Sequence, residues 1–237
     1  MPQRHLLLLL PFVVALACRP TSAQTTVEQI LAKYVEAIGG AAAVKAPTSS
    51  VMKGTIAAPS IGATGTIEVY AKAPNKQLTE IASSVLGNSR FGFNGTTGWR
   101  DEDGELKEMP AYPKREADFY LPIKLQELYP RIDLIGTEAV GSRRAYRLEA
   151  PRGGNPKRWY FDVDSGLLLR MEVRGADGTL LNREDYEDYR AAGGIRVPFT
   201  TRQLDADGAE VIVKLTEVKY NIAIDDARFD QPAARQR

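Results

Sequence analysis

WYFDVDSGLLLRMEV, residues 159–173, decides the fold class, because an apolar run is broken at its centre by Asp162-Val163-Asp164-Ser165-Gly166. On the left, Trp159, Phe161 and Val163 fall on one face of an extended chain. On the right, Leu167, Leu169, Met171 and Val173 fall on one face against Leu168, Arg170, Glu172 and Arg174. A period of two on both sides of an Asx-type turn and a glycine able to enter left-handed backbone reads as a β-hairpin. The rival reading is a calcium loop, which needs oxygen ligands at its first, third and fifth positions, glycine at the sixth and glutamate at the twelfth. Counted from Asp162, the fifth residue is Gly166 and the twelfth is Val173, so that match fails. A catalytic carboxylate pair is the other rival, and adjacent acids at a hairpin tip are ordinarily solvated with ordinary pKa values.

The same grammar recurs outward from this hairpin. Asp101-Glu102-Asp103-Gly104, Ala176-Asp177-Gly178 and Asp205-Ala206-Asp207-Gly208 supply three more tips. Ile67, Val69 and Ala71 alternate with Thr66, Glu68, Tyr70 and Lys72, as do Tyr146 and Leu148 with Arg147 and Glu149, and Ile195, Val197 and Phe199 with Arg196, Pro198 and Thr200. Strands that bury one face and wet the other belong to antiparallel sheets. Ahead of them, Val27, Ile30, Leu31, Tyr34, Val35 and Ile38 recur at helical spacing, with Thr25 or Thr26 as cap and Gly39-Gly40 as stop. Residues 114–129, KREADFYLPIKLQELY, interrupt the strands with apolar short helical pieces broken by Pro122. Residues 221–232 read as an anchored terminal segment and residues 233–237 as a frayed end. No linker or repeat stands out, so residues 24–237 are expected to form one domain.

Residues 1–23 have the shape of a secretory signal: Arg4 precedes an apolar stretch over residues 6–17, and Thr21-Ser22-Ala23 offers small residues for cleavage. That stretch is shorter than the roughly 20 residues a membrane span requires. The expected destination is the periplasm. Ala15-Leu16-Ala17-Cys18 is a distorted lipobox, and lipid anchoring at Cys18 is the alternative to cleavage after Ala23.

Cleavage after Ala23 removes the sole cysteine, Cys18, and the sole histidine, His5. The mature chain then has no thiol for a disulfide, a nucleophile or a structural zinc site, and no imidazole for a triad or a pH switch. Loss of Arg4 and Arg19 takes lysine plus arginine from 31 to 29 against 30 acids, a net charge of about −1 with the signs interspersed. Nucleic-acid binding has no electrostatic footprint there.

Individual residues have bland readings beside functional ones. Trp99 is either a stacking platform for a ligand or a plug of the core. Asn94-Gly95-Thr96 matches a glycosylation sequon but reads as a turn. Glu184-Asp185 and Glu187-Asp188, interleaved with Tyr186 and Tyr189, read as a solvated strand face before they read as ligands of a cation. Arg143-Arg144, Arg152 and Lys157-Arg158 read as a solvent-exposed basic cluster, with contact to lipid phosphates as the minor alternative.

Taken in order, GFNGTTGW (92–99), YFDVDSGLLLRMEV (160–173), DYRAAGGIRVPF (188–199) and EVKYNIAIDDARFDQP (217–232) resemble segments of bacterial outer-membrane lipoprotein-sorting proteins, the LolA/LolB-like superfamily of periplasmic carriers. EQILAKYVEAIGG (28–40) and the turn Ala73-Pro74-Asn75-Lys76 fit as well. The resemblance implies a mainly antiparallel, unclosed half β-barrel of about eleven strands, with an N-terminal helix and a helical lid or plug on the hollow side. It also implies a hollow that receives acyl chains, a task that needs no catalytic residue, metal or cofactor. The dedicated carrier's lid-locking arginine has no recognisable counterpart here.

The function expected is a periplasmic carrier or binding protein for lipoprotein or another acyl-chain ligand, monomeric and not an enzyme, with envelope membrane proteins as further partners. The cavity is expected to draw on Ile67, Val69, Trp99, Trp159, Phe161, Leu169, Met171, Val197 and Phe199, with Phe119, Leu121 and Leu125 on the lid. A slip of one residue in register exchanges the two faces of a strand, so this set depends on parity. The competing expectation is an envelope interaction or sensor module whose hollow is filled by its own side chains. A glycosidase-like carboxylate pair ranks third.

Overall fold

The structure, a computed structural model, describes residues 25–85, 87–109, 114–151 and 154–232. The signal segment with Cys18, Arg152 and the end at residues 233–237 lie outside the described residues. Helix α1 (Val27–Ala37) begins with a capping box: the Thr26 side chain accepts from the Gln29 backbone, and the Gln29 side chain accepts from the Thr26 backbone. A one-turn helix, α2 (Ala41–Lys45), follows the glycine pair.

Six strands then meander: β1 (Ser49–Ala58), β2 (Ala63–Lys72), β3 (Lys76–Ser83), β4 (Gly87–Phe93), β5 (Gly98–Glu102) and β6 (Glu105–Glu108). Helix α3 (Leu121–Leu128) carries the chain across to the other end of the sheet. A second meander returns through β7 (Asp133–Val140), β8 (Arg143–Ala150), β9 (Lys157–Asp162), β10 (Leu168–Arg174), β11 (Leu180–Ala192), β12 (Ile195–Asp205) and β13 (Glu210–Tyr220). The order is β6-β5-β4-β3-β2-β1-β13-β12-β11-β10-β9-β8-β7, every pairing is antiparallel, and β6 and β7 do not pair with each other. The result is an unclosed half-barrel with thirteen strands among the described residues, where the resemblance implied about eleven. All four glycine tips join neighbouring strands, and Gly104, Gly166, Gly178 and Gly208 all have positive φ.

Pro122 begins α3 and does not break it. It sits in the first turn, where the missing N–H has no intrahelical acceptor to lose. Among the described residues no helix is long and apolar enough to cross a membrane.

Both faces of the sheet are covered, by different parts of the chain. On the hollow face, Ile30 and Leu31 of α1 and Leu125 of α3 pack with Tyr129, Leu148, Trp159 and Phe161. On the opposite face, residues 221–229 lie across β1 to β5: Ile224 and Phe229 join Val51, Tyr70, Leu78 and Trp99 in a second core. This segment is tied down by Lys72 and Lys76 on Asp226, at 2.6 and 2.9 Å, and by Arg228 on Glu80 at 2.7 Å. Hydrogen bonds from the two lysines hold the Asp226 carboxyl at about 2, so it stays charged through the ordinary acid range.

Candidate ligand cavity

The plug formed by α1 and α3 fills only the β8–β10 half of the hollow. Beside it, over the centre of the sheet, a cavity of about 350 Å³ remains. Its floor is Ser50 and Met52 of β1, Val69 and Ala71 of β2, Gln77 of β3 and Tyr220 of β13. These residues share a face by register, since Ser50 pairs with Ala71 and Tyr220, Met52 with Val69, and Ala71 with Gln77. The walls are Tyr34 and Ile38 at the end of α1, Val44 of α2, Tyr189 of β11 and residues 195–198 of β12; residues 116–119 and Pro122 roof it. The roof is held by the Phe119 N–H donating to the Pro74 carbonyl at 2.9 Å and by the Tyr120 hydroxyl donating to the Pro47 carbonyl at 3.2 Å.

Of the residues expected at the site from sequence, Val69, Val197 and Phe119 line this cavity. Trp159, Phe161 and Leu125 are buried in the plugged half, with Leu121 and Met171 packed against them. Ile67 is buried on the floor's face of β2, and Phe199 lies under Arg190, whose guanidinium is 4.8 Å from the ring centre. Trp99 and Leu169 lie on the other side of the sheet. Trp99 pairs with Gly92, and Gly92 with Leu78, which places the indole on the Tyr70 face. There it is fully buried and donates Nε1–H to the Phe229 carbonyl at 2.9 Å. It is a core plug, not a ligand platform.

Leu169 is displaced by a bulge. Leu168 faces Phe161 but Arg170 faces Tyr160, so Leu169 is an extra residue on β10. Leu168 and Met171 consequently turn toward the helices, while Leu169 packs with Tyr160 and Ala145. Residues that sequence reasoning missed, among them Met52, Ile38, Val44 and Tyr220, come from strands and a short helix whose relative placement depends on long-range pairing.

Three expectations about charge change with burial. Asp162 sits in the turn as read, but it is only 1 % exposed and is not a solvated acid. Its Oδ2 accepts from Arg143 Nη2 at 2.6 Å and from the Ser165 N–H and hydroxyl, both at 2.7 Å. Burial pushes this carboxyl up, yet the Ser165 and Arg143 bonds outweigh it and hold the group below the usual carboxylate range. A depressed folded-state pKa contributes stability that is fully present above the unfolded value and is lost as pH falls through the folded one. Asp162→Asn is therefore expected to cost about 1–3 kcal/mol at pH 7 and to flatten the acid limb of a urea-unfolding pH series; an unchanged acid limb would refute this role.

The basic cluster divides: Arg143 and Arg144 are exposed as expected, but Lys157 is 2 % exposed, bonded to Glu116 at 3.0 Å and set against the Tyr129 and Trp159 rings, while Arg158 is half-buried and pairs with Glu149 at 2.7 Å. The acidic run is a solvated face only in part: Glu187 and Asp188 are exposed as expected, whereas Glu184 and Asp185 are half-buried. Asp185 is bridged by Arg170 at 2.5 Å and Arg183 at 3.0 Å, and Glu184 accepts from the Tyr186 hydroxyl at 2.7 Å.

Tyrosines dominate the polar chemistry of the hollow. Burial pushes the Tyr34 phenol up to about 12, raises Tyr220, and raises Tyr189 further still. These hydroxyls keep their protons at neutral pH and can donate. The Tyr189 hydroxyl does so to the Leu168 carbonyl at 2.8 Å.

No family model and no curated protein matches the sequence. Solved structures do match its shape. A LolA superfamily protein from Nitrosomonas europaea superposes with a TM-score of 0.60 at 15% identity, over 88% of this chain and 99% of that one. A DUF1329 family protein from Desulfovibrio piger gives 0.61 at 14% identity, over 90% and 100%. A domain from Vibrio parahaemolyticus, described as an outer membrane lipoprotein-sorting protein, gives 0.58 at 11% identity, over 86% and 97%. The chain has a LolA-like fold.

Proposed function

We propose that the protein is a periplasmic binding or carrier protein of the lipoprotein-sorting type, without catalytic activity, that holds an acyl chain in the cavity between α1, the α3 roof and the centre of the sheet. The observation that carries this reading is the cavity: about 350 Å³, floored by Met52, Val69 and Ala71 and walled by Ile38, Val44 and Val197, in a fold shared with a lipoprotein-sorting domain. Ligand pockets run from roughly 300 to 1,000 Å³, so the space is sufficient for a ligand but small. With about 30 Å³ as the share of one water-sized group, it holds about a dozen methylenes. At about 0.8 kcal/mol each these supply roughly 10 kcal/mol before ordering costs. On this reading the chain is exported, acts as a monomer and needs no metal or cofactor.

A second reading is favoured by the other half of the hollow, where Trp159, Phe161, Leu125 and Tyr129 already form a filled core. An envelope interaction module would need no more than that. The two are separated by purifying the protein from cells, extracting it with organic solvent for mass spectrometry, and titrating the stripped protein with a fluorescent fatty acid. A carrier is expected to release lipid and to show saturable binding. Lipid-free protein that ignores the fatty acid would overturn the carrier reading and leave the docking module.

A further inference from the structure

The charges around the cavity are unequally matched. Its acids are already partnered by the protein's own lysines: Glu116 by Lys157 at 3.0 Å and Asp118 by Lys124 at 3.1 Å. Its cation is not. Arg196 is exposed at the start of β12, fixed there by its backbone N–H donating to the Ile38 carbonyl at 2.8 Å, and its guanidinium forms no ion pair among the described residues. Two further donors face the same space. Tyr34 and Tyr220, both half-buried, line the cavity, and their hydroxyls make no hydrogen bond among the described residues, so both are open to a ligand. Unspent donors and one unspent positive charge border an apolar space with room for one chain. One guanidinium offers a planar fork that matches the two oxygens of a singly charged carboxylate.

We propose that the ligand is a single-chain amphiphile with a carboxylate head, of the fatty-acid class, its tail on Met52, Val69 and Val197 and its head against Arg196, with Tyr34 and Tyr220 as hydrogen-bond donors. This rests on the acyl-chain reading and narrows it: a cargo with several chains exceeds the cavity, and a neutral or cationic head leaves Arg196 unmatched.

The test is calorimetric titration of the full-length mature protein with dodecanoic acid, dodecanol and dodecylamine, each below its aggregation concentration. The acid is expected to bind about two- to fivefold more tightly than the alcohol, the range of an exposed ion pair, and the amine most weakly. Arg196→Gln, an exposed change that leaves the thermal midpoint in place, is expected to bring the acid down to the alcohol while the alcohol is unchanged. Equal binding of acid and alcohol by the wild type, or a preference that survives Arg196→Gln, would overturn the carboxylate assignment with the acyl-chain reading intact. No binding of any of the three would overturn both.

Discussion

Trp99→Ala is expected to lower the unfolding free energy by about 3–5 kcal/mol, the cost of emptying a large, fully buried aromatic site, without changing the ligand affinity of the protein that remains folded. The indole is fully buried among Val51, Tyr70, Leu78, Ile224 and Phe229, and its N–H satisfies the Phe229 carbonyl. It therefore joins the sheet to the last segment of the chain. Gly92 makes that packing geometrically tight: a Cβ built there would lie 2.2–2.5 Å from three atoms of the indole. Gly92→Ala should consequently cost about 1–3 kcal/mol as an overpacking change, and most of that cost should vanish when Trp99 is already alanine. Urea unfolding of the two single variants and the double variant measures the coupling. A Trp99→Ala protein of normal stability that no longer binds fatty acid would show the indole to be a ligand platform instead.

The hairpin at residues 159–173 was legible because glycine and the Asx turn fix its tip whatever the rest of the chain does. Its internal register was less so. Leu167, Leu168 and Leu169 are all apolar, and a run apolar at every position cannot specify which residue turns inward. The bulge at Leu169 exploits that ambiguity, so alternation counted through it assigns the wrong face. Asp162 and Lys157 look like surface charges because their partners, Arg143 and Glu116, stand 19 and 41 residues away. Burial of an ion pair depends on such distant partners, and neither composition nor spacing displays them. The cavity floor has the same origin. Met52, Val69 and Tyr220 meet only because β1 sits between β2 and β13, a pairing that brings the two ends of the chain together.

That register also determines how the cavity should be tested. Phe161→Asp would put a charge into the filled half of the hollow, against Tyr34 at 5.0 Å between ring centres, and would unfold the protein before it reported on a ligand. Val69 is the better position. It is only partly buried, it faces the cavity from the middle of β2, and it pairs with Met52 and Thr79 on either side. A tryptophan there keeps the strand's preference for large side chains and extends into open space, so the thermal midpoint should move little. The added ring takes the room of about four methylenes, and at about 0.8 kcal/mol each their exclusion costs roughly 3 kcal/mol, or about a hundredfold in affinity for a fatty acid. Unlike Arg196→Gln, this change should weaken dodecanoic acid and dodecanol alike, because it acts on the tail. A Val69→Trp protein that folds normally and binds both at wild-type strength would place the ligand elsewhere on the molecule and remove the cavity from its function.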